Sequence, residues 1–483
     1  MVKHGQNIAA SWSFQKNHLT SSGKKNTARA DYLQAVIIYA HIITPRLQYI
    51  ADFIGKETGG TDFFQLTGNT GTYKTSSDFK INYSNERICE DEFFLRPHFL
   101  LFENDIKPQQ TDCFEINGYK IFFKTAGDFP FDIFAASFYL LSRYEEYLPH
   151  EKDMYGRYAH ENSLAYRENF LQVPLINIWL QDFRAAIQKK FPNSGLPTPD
   201  SQLRTPDPIA IGSRLNFLPT YDIDQAYSYK DKSFYKNAGG FIKAVLKGNW
   251  QQASERLSVL SGKARDPFDA YQWMDQLHER YNLEPFYFFI LADKLGKYDK
   301  NISPAERSMQ ELILHHYHKY HTGIHPSWQS GDDISLLTKE IQTLNQITNH
   351  PVINSRQHYI RFTLPYTFRY LIDAGIKHDF SMGYGSINGF RASVASAFYW
   401  FDLEKNEASR LLLYPFCYMD ANSFFEQKYS AQQAYDEMKQ YYETVKSVNG
   451  TMISIWHNTF LGTDKLYAGW KEVYEKFIAE ISG

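Results

Sequence analysis

Two carboxylates, Asp222 and Asp224, follow directly on the apolar run from Phe217 to Tyr221. Side chains two positions apart in an extended segment point to the same side. Such a pair can divide the work, because one acid can bind a metal ion while the other stays free as a base. A metal ion with an open position lowers the pKa of bound water and polarises a carbonyl group. An isolated Asp-x-Asp is more often part of a loop or a helix cap, so this pair needs partners elsewhere in the chain.

Candidate partners follow other strand-like segments in the second half of the chain. They are His325, Arg356 with His358, His378 with Asp379, and His457. Sites in parallel α/β folds are built at the C-terminal ends of the strands, so we expect these side chains to lie around Asp222 and Asp224. Carboxylates and imidazoles suit zinc and other divalent first-row metal ions. A histidine beside the leaving group can act as a general acid at neutral pH.

The elements that must position these residues alternate between strand and helix patterns. Residues 217–221, 285–291 (PFYFFIL) and 452–456 are typical of buried strands. Ser303, Pro304 and Glu306 match a helix start, and this helix is predicted to run to about residue 320. A second helix is predicted over residues 334–347. The alternation predicts an α/β domain over residues 212–483.

The first half of the chain is organised differently. Residues 1–30 are polar and predict a flexible tail. Residues 31–192 mix short β-like runs with helices, including a buried helix over residues 133–147, and predict an N-terminal α/β domain of unknown role. Residues 193–211 contain four prolines with Ser, Asp and Asn, which is typical of a linker.

Composition and charge exclude several classes of protein. The chain is 43% hydrophobic and 17% aromatic, which is enough for a core, and its formal net charge of -3 lacks the basic footprint of a nucleic-acid-binding protein. Three cysteines, none in a CxxC, argue against a disulfide framework or a Cys-rich zinc site. The start of the chain shows no signal-peptide pattern, and its longest apolar stretch, residues 35–43, is far shorter than the ~20 residues of a membrane span. We therefore expect a cytoplasmic protein without a nucleic-acid or membrane partner.

Five segments of the second half resemble, in sequence and in order, the motifs of the polysaccharide deacetylase family, the metal-dependent carbohydrate esterases of family four. They are Thr220–Asp224, Tyr320–Trp328, Ser355–Tyr359, His378–Ser381 and Ile453–Asn458. The resemblance covers roughly residues 218–463 and implies an irregular (β/α) barrel, often with seven strands. The first half, with its RYEEY segment (Arg143–Tyr147), looks like the N-terminal region of a Bacteroidetes-type branch of such proteins.

The resemblance also implies a role for each residue. Asp222 would be the general base, oriented by Arg356. His457 would be the general acid, oriented by Asp379. Asp224 and His325 would be ligands of a divalent metal ion, with zinc expected. The activity implied is removal of an acyl group, with acetyl expected, from a carbohydrate substrate, either an amino sugar or a sugar ester.

The third metal ligand is where the chain departs from the family pattern. His321 and His325 match the literal His-Thr-x-x-His motif, but four extended residues span ~13 Å, too far for both imidazoles to bind one ion at ~2 Å. If the strand is aligned on His325, Gln329 stands where the second family histidine is expected. His358 is then the preferred third ligand, His321 is the alternative, and a site without a tightly bound metal is the remaining possibility.

Other residues have two interpretations each. Trp328 and Arg391 are candidate substrate contacts, although Arg391 could instead pair with a nearby acid. Glu145 and Glu146 with Asp153 form either a helix-end ion-pair network or the acid pair of a glycosidase. A catalytically silent carbohydrate-binding or scaffold protein is the main alternative to the hydrolase. The sequence leaves the oligomeric state open.

Overall fold

The computed structural model describes residues 35–60, 62–192, 216–292 and 296–483. The predicted tail over residues 1–30 and the predicted linker over residues 193–211 lie outside these ranges. The mixed α/β architecture predicted from the sequence is confirmed, since strands and helices alternate around two mainly parallel sheets.

The N-terminal region holds a small parallel sheet and a separate hairpin. Its strands are β1 (Val36–Tyr39), β2 (Phe64–Thr67), β3 (Phe79–Asn82), β4 (Glu92–Phe94), β5 (Phe114–Ile116) and β6 (Tyr119–Ile121). Its helices are α1 (Pro45–Gly59), α2 (Thr70–Thr75), α3 (Ile133–Leu141), α4 (Leu164–Arg167) and α5 (Leu175–Lys190). The parallel sheet has the order β2-β1-β3-β4, and β5 pairs with β6 in antiparallel orientation.

Helix α3 is shorter than the sequence predicts. The expected helix over residues 133–147 ends at Leu141, and a 3₁₀ turn follows over Tyr144–Tyr147. Between them, Arg143 adopts a left-handed backbone conformation with φ of 52°. That turn aims the buried guanidinium of Arg143 at the carboxylates of Glu145 and Glu146, at 2.9 and 2.7 Å. Ion pairing of these side chains therefore accompanies the early end of the helix.

The C-terminal region is built on a nine-stranded sheet. Its strands are β7 (Phe217–Ile223), β8 (Phe286–Phe289), β9 (His321–Ile324), β10 (Asn354–Ser355), β11 (His378–Asp379), β12 (Phe398–Asp402), β13 (Glu407–Leu413), β14 (Tyr418–Met419) and β15 (Met452–His457). The order is β12-β13-β11-β10-β9-β8-β7-β15-β14, and only the β12–β13 pairing is antiparallel. Strands β12 and β14 are the two ends of this order, so strand pairing does not show a closed barrel.

The described residues of this region form eight helices beside the sheet. They are α6 (Phe234–Leu246), α7 (Trp250–Leu260), α8 (Tyr271–Tyr281), α9 (Arg307–Lys319), α10 (Ile334–Thr348), α11 (Tyr366–Asp373), α12 (Ala431–Ser447) and α13 (Trp470–Ser482). Helix α9 begins later than predicted, because Ser303 and Glu306 form a turn in which Glu306 N–H donates to the Ser303 carbonyl. Among the described residues, no helix is long and apolar enough to cross a membrane.

The nine-stranded sheet is strongly curved on the face that carries the site. Strands β8 and β11 are three steps apart in the sheet order, which in a flat sheet is about 14 Å. Yet the ring of Phe380, just after β11, lies 4.7 Å from the ring of Phe286 and 5.2 Å from that of Phe288 in β8. The guanidinium of Arg356, after β10, stacks over Phe288 at 4.7 Å. This curvature brings the ends of non-neighbouring strands within reach of one another.

A buried ion-pair network joins the two regions. Arg391 donates two hydrogen bonds to Glu146, at 2.8 and 2.6 Å, and Arg143 binds the same carboxylate. Burial raises the pKa of the Glu146 carboxyl, but the two guanidinium groups outweigh this effect and lower that pKa to about 2. All three side chains are almost fully buried. The fold therefore depends on keeping these charges paired.

Arg391→Leu is expected to lower the free energy of unfolding by about 3–5 kcal/mol, since it removes one partner of a buried charge network. Urea titration followed by circular dichroism measures the loss. The matched control is Arg307→Leu, which breaks a pair with Glu311 whose side chains are 92% and 60% exposed and should cost less than about 1 kcal/mol. Equal losses in the two variants would contradict the structural role of Arg391.

Candidate metal centre

Asp224, His325 and His358 form one compact cluster. One ligand atom from each lies within 4.8 Å of the others. His325 Nε2 is 3.2 Å from Asp224 Oδ1, and His358 Nε2 is 3.4 Å from Asp224 Oδ2. The two histidines are buried, and Asp224 is partly exposed towards a cavity. The preferred ligand set from the sequence is thus brought together at one point.

Each of these side chains comes from the C-terminal end of a parallel strand. Asp224 follows β7, His325 follows β9, and His358 lies three residues beyond β10. The chain turns sharply after His358, where Tyr359 and Ile360 both have positive φ values of 59° and 56°. This turn directs the His358 ring back towards the end of β7.

The far nitrogen of each histidine ring is held by an acceptor. His325 Nδ1 lies 2.5 Å from the Arg356 carbonyl oxygen, and His358 Nδ1 lies 2.8 Å from Asp299 Oδ1. Because both acceptors require a proton on Nδ1, each neutral ring presents an unprotonated Nε2. In the neutral rings both Nε2 lone pairs would face the carboxylate of Asp224, so a positive charge, either a proton or a metal ion, is favoured between them.

The pKa values of the cluster also indicate that positive charge is favoured there. Burial lowers the pKa of His358, but the carboxylates of Asp224 and Asp299 outweigh it and raise that pKa to about 9. Burial raises the pKa of Asp224, but the imidazoles of His358 and His457 outweigh it and hold that pKa well below its usual range. Asp224 Oδ1 is buried and has no hydrogen-bond partner among the described residues.

The cluster fits a divalent metal ion. The three ligand atoms lie within 4.8 Å of one another, and each histidine approaches a different oxygen of the Asp224 carboxylate, at 3.2 and 3.4 Å, close enough for zinc bonds of about 2.0–2.2 Å to nitrogen and oxygen. One carboxylate and two imidazoles leave a fourth position open, as in catalytic zinc sites. The hydrogen bonds of Arg356 and Asp299 to the rings would orient the ligands.

Asp222 lies beside the cluster without belonging to it. Its Oδ1 accepts a hydrogen bond from Arg356 Nη1 at 3.1 Å, and its Oδ2 is 3.6 Å from His325 Nε2. Arg356 Nη1 also donates to Thr220 Oγ1 at 2.6 Å, and Arg356 Nε donates to the Phe380 carbonyl oxygen at 3.0 Å. The guanidinium is thus fixed at several points and holds the Asp222 carboxylate next to the ligands.

His457 also approaches the cluster, from β15, where it is level with Asp222 of β7. Its Nε2 lies 3.6 Å from Asp224 Oδ2, while its Nδ1 lies 2.6 Å from Asp420 Oδ1. Asp420 Oδ2 also accepts the backbone N–H of His457 at 2.7 Å. Burial lowers the pKa of His457, but Asp420 and Asp224 outweigh it and raise that pKa to about 10. His457 is therefore held as a proton donor facing the cavity.

Asp420, and not Asp379, is the carboxylate on His457, which corrects the expected pairing. Asp379 instead accepts hydrogen bonds from Ser355 Oγ at 2.7 Å and from Ser381 Oγ at 3.0 Å, and burial raises its pKa to about 6. Asp420 could have been found in the sequence, because it directly follows the apolar segment that ends in Tyr418–Met419. This is the same signal that singled out Asp222 and His457.

A cavity of about 670 Å³ opens above the cluster. Its wall includes Asp222, Asp224 and His457, together with several aromatic rings. Two lining residues, Tyr155 and Arg157, belong to the N-terminal region. The Tyr155 ring lies 5.1 Å from that of Tyr359 and 5.9 Å from that of Tyr298. Arg157 anchors this loop, because its Nη1 donates to the Gly385 carbonyl oxygen at 2.6 Å.

The two predicted substrate contacts have other partners. Trp328 supports the cavity wall from behind, since its Nε1 donates to the Tyr155 carbonyl oxygen at 3.2 Å and its ring lies 4.9 Å from that of Tyr298. Arg391 is buried in the ion pair with Glu146. The alternative interpretation of Arg391, pairing with a nearby acid, therefore describes its position.

The residues of the competing interpretations lie apart from the cluster. His321 begins β9, at the other end of the strand from His325, and stacks on the ring of Phe286 at 4.5 Å. The acids of the glycosidase hypothesis are held in ion pairs: Glu145 with Arg143, Glu146 with Arg143 and Arg391, and Asp153 with Arg157. These acids match the ion-pair network that the sequence offered as their other interpretation.

Comparison with known proteins gives few matches. Residues 36–192 match the model of a family of unknown function (DUF7033). No protein of curated function matches the sequence at a significant level. Solved structures similar to this chain include a protein assigned as a polysaccharide deacetylase from Mycobacterium smegmatis (11% identity, TM-score 0.36, covering 55% of this chain and 83% of that one), PuuE allantoinase (10%, 0.35, 55% and 84%), and a protein assigned as a polysaccharide deacetylase from Pseudomonas aeruginosa PAO1 (13%, 0.34, 55% and 85%).

Replacing His358 by alanine is expected to weaken zinc binding at least tenfold, about 1.4 kcal/mol, because it removes one of three ligands. His321→Ala, a matched histidine on the neighbouring strand β9, should leave the affinity unchanged. Titration of both purified variants with zinc, in one buffer, measures the difference. Loss of zinc in His321→Ala with retention in His358→Ala would show that the literal motif supplies the ligand, and unchanged affinity in both would remove the proposed site.

Proposed function

We propose that this protein is a metal-dependent hydrolase that removes an acyl group, with acetyl expected, from an amino sugar or a sugar ester. The observation that carries the proposal is the division of roles around Asp224. Three side chains form a ligand set, while Asp222 and His457 flank it, each held by a separate partner. The order of the five sequence motifs supports the same reaction class.

The residues that would hold the ion are Asp224, His325 and His358. A divalent cation there, with zinc expected, would polarise the acyl carbonyl group and lower the pKa of a water molecule. Arg356 O and Asp299 accept at the Nδ1 atoms of the two rings, so the Nε2 atoms are the ones that would bind the ion once they carry no proton. The side chains are thus arranged before any ion binds, which limits reorganisation of the site.

Asp222 is placed to accept a proton from the attacking water. Its carboxylate stands next to the ligand cluster, with Oδ2 3.6 Å from His325 Nε2. Arg356 holds Oδ1 at 3.1 Å, so that the other oxygen remains oriented towards the cluster. A positioned base of this kind contributes about 10²–10⁴-fold to a rate.

His457 is placed to donate a proton to the departing amine or alcohol. Asp420 fixes its Nδ1, so the Nε2–H of the protonated ring points towards Asp224 and the cavity. Base and acid both border the ligand cluster, with Asp222 Oδ2 3.6 Å from His325 Nε2 and His457 Nε2 3.6 Å from Asp224 Oδ2. One group could then take a proton from water while the other gives a proton to the leaving atom.

The cavity supports a carbohydrate as the substrate. Aromatic rings line the cavity, among them Tyr155, Tyr298, Tyr359, Phe425 and Tyr467, and apolar sugar faces stack on such rings. The volume of about 670 Å³ is in the usual range of small-molecule sites. We extend the proposal to the fold: the curved sheet would be an irregular barrel of the deacetylase type, as the contact between β8 and Phe380 suggests.

The silent carbohydrate-binding protein is the alternative, and its motivation was Gln329 in place of a family histidine. His358 provides an imidazole whose Nε2 lies 3.4 Å from Asp224 Oδ2. The departure in the second motif is therefore compatible with a complete ligand set, which favours the hydrolase.

Asp222→Asn is expected to lower kcat by about 10²–10⁴-fold while zinc content stays near that of the unmodified protein, because an amide cannot take up the proton. Acetate release from an N-acetylated oligosaccharide, together with metal analysis, measures both quantities. The control is Asp224→Asn, which should lose metal. Loss of zinc in Asp222→Asn would instead make Asp222 a ligand and contradict the assigned roles.

Asp420→Asn is expected to reduce kcat about 100-fold or more without lowering zinc affinity, because an amide no longer fixes the His457 tautomer. Asp379→Asn is the matched control, since this buried carboxylate binds two serine hydroxyls. It should leave kcat within a few-fold. A larger loss of kcat in Asp379→Asn than in Asp420→Asn would restore the partner implied by the sequence resemblance.

A further inference from the structure

Helices α6 and α7 form a hairpin with an unusually apolar surface. Seven of the eighteen exposed large hydrophobic side chains among the described residues lie on these 27 positions. They are Phe234, Tyr235, Ile242, Leu246, Trp250, Leu257 and Leu260. Tyr235, Leu246 and Trp250 are 86%, 82% and 68% exposed. An apolar patch of this kind on a folded protein is typical of an interaction surface.

The exposed side chains follow the helix period. Phe234, Ile242 and Leu246 are spaced by multiples of four residues and so share one face of α6. Among the described residues, the main hydrophobic core includes Tyr227 and Ala270 but no side chain between them in the sequence, and so none from this hairpin. The seven exposed apolar side chains of α6 and α7 therefore do not pack in the main core.

The same segment is strongly basic. Residues 230–265 contain eight Lys and Arg against two acids, a local net charge of +6 in a chain whose net charge is -3. Within the described part of the chain, the exposed Lys236, Lys243, Lys247 and Lys263 have no carboxylate within 4 Å. An apolar helix face bordered by unpaired lysines complements a surface whose outer layer is negatively charged and whose interior is apolar.

The hairpin lies in the connection between β7 and β8, which begins beside the candidate metal site. Gln225, nine residues before α6, and Phe268, eight residues after α7, both line the cavity. Both ends of the segment that contains the hairpin therefore border the cavity.

We propose that the α6–α7 hairpin binds the surface of an anionic lipid bilayer. Amphipathic helices with Trp, Phe and Leu on one side and Lys on the other lie in the bilayer interface, and lysines near anionic headgroups add electrostatic attraction. A second protein chain has no comparable need for four unpaired lysines around the apolar face. The expectation of no membrane partner rested on the lack of a spanning segment, which surface binding does not require.

Vesicle sedimentation of the full chain tests the proposal. Binding is expected to vesicles of phosphatidylcholine with about 30% phosphatidylglycerol, to be much weaker on phosphatidylcholine alone, and to fall at about 1 M salt, where the Debye length is about 3 Å. Equal binding to both kinds of vesicle, or none to either, would overturn it. The readout involves no catalysis, so this result is independent of the proposed function.

Variants locate the binding surface. Leu246→Ser with Trp250→Ser, and separately Lys243→Glu with Lys247→Glu, should each weaken binding at least about tenfold. Phe99→Ser and Lys446→Glu, exposed residues outside the hairpin, are the matched controls and should bind normally. Thermal unfolding shows whether each variant is folded. If a double variant does not fold, its two single substitutions are tested instead. Normal vesicle binding by the hairpin variants would overturn the lipid assignment. So would a dimer of the unmodified protein in solution that is lost in the hairpin variants and kept in the controls.

Discussion

The carboxylate of Asp224 stands among three imidazoles, and the rest of the site depends on that contact. His325, His358 and His457 approach its oxygens at 3.2, 3.4 and 3.6 Å. Each ring is held from behind by a different acceptor, and the two acceptor carboxylates are Asp299 and Asp420. So many acids and lone pairs in a buried volume require compensating positive charge. The ring tautomers, the raised pKa values of His358 and His457, and the orphaned oxygen of Asp224 all follow from this one requirement.

Sequence reasoning located the site wherever a local signal marked the end of a strand. Asp222, Asp224 and His457 each follow an apolar run, and the structure places them at the ends of β7 and β15, which are paired neighbours. The partner of His457 could not be located in this way, because the motif order implies Asp379 and does not single out Asp420. Asp379 and Asp420 both end short buried strands, but β14 is paired with β15 so that Met419 is level with Ile455. Strand β11 is five steps away from β15, and strand order is a long-range property that the motif order does not encode.

The N-terminal region contributes residues to the wall of the cavity, which the prediction of a separate domain joined by a linker did not indicate. Its RYEEY segment looked like either a catalytic acid pair or an ion-pair network, and burial decides between them, because Glu146 is neutralised by Arg143 and Arg391. A carboxylate clamped by two guanidinium groups holds its position but has no freedom to exchange protons with a substrate. The same contact fixes the region against the C-terminal sheet, and Tyr155 can then form part of the cavity wall.

Two features with opposite surroundings follow β7 in the chain: the buried candidate metal cluster and the exposed α6–α7 hairpin. The metal cluster needs charges withdrawn from water, and its side chains are accordingly buried by the curved sheet. The hairpin that starts ten residues after Asp224 leaves large apolar side chains in water, and none of them joins the main core, so burying them against another surface would add favourable hydrophobic free energy. Gln225 and Phe268 flank the segment that contains the hairpin and also line the cavity, so the two features are joined along the chain. Exclusion of water strengthens electrostatic interactions of the kind that hold the candidate metal site together, whereas the apolar side chains of the hairpin lower the free energy by leaving water. One connection between two strands therefore carries both a buried polar site and an exposed apolar surface.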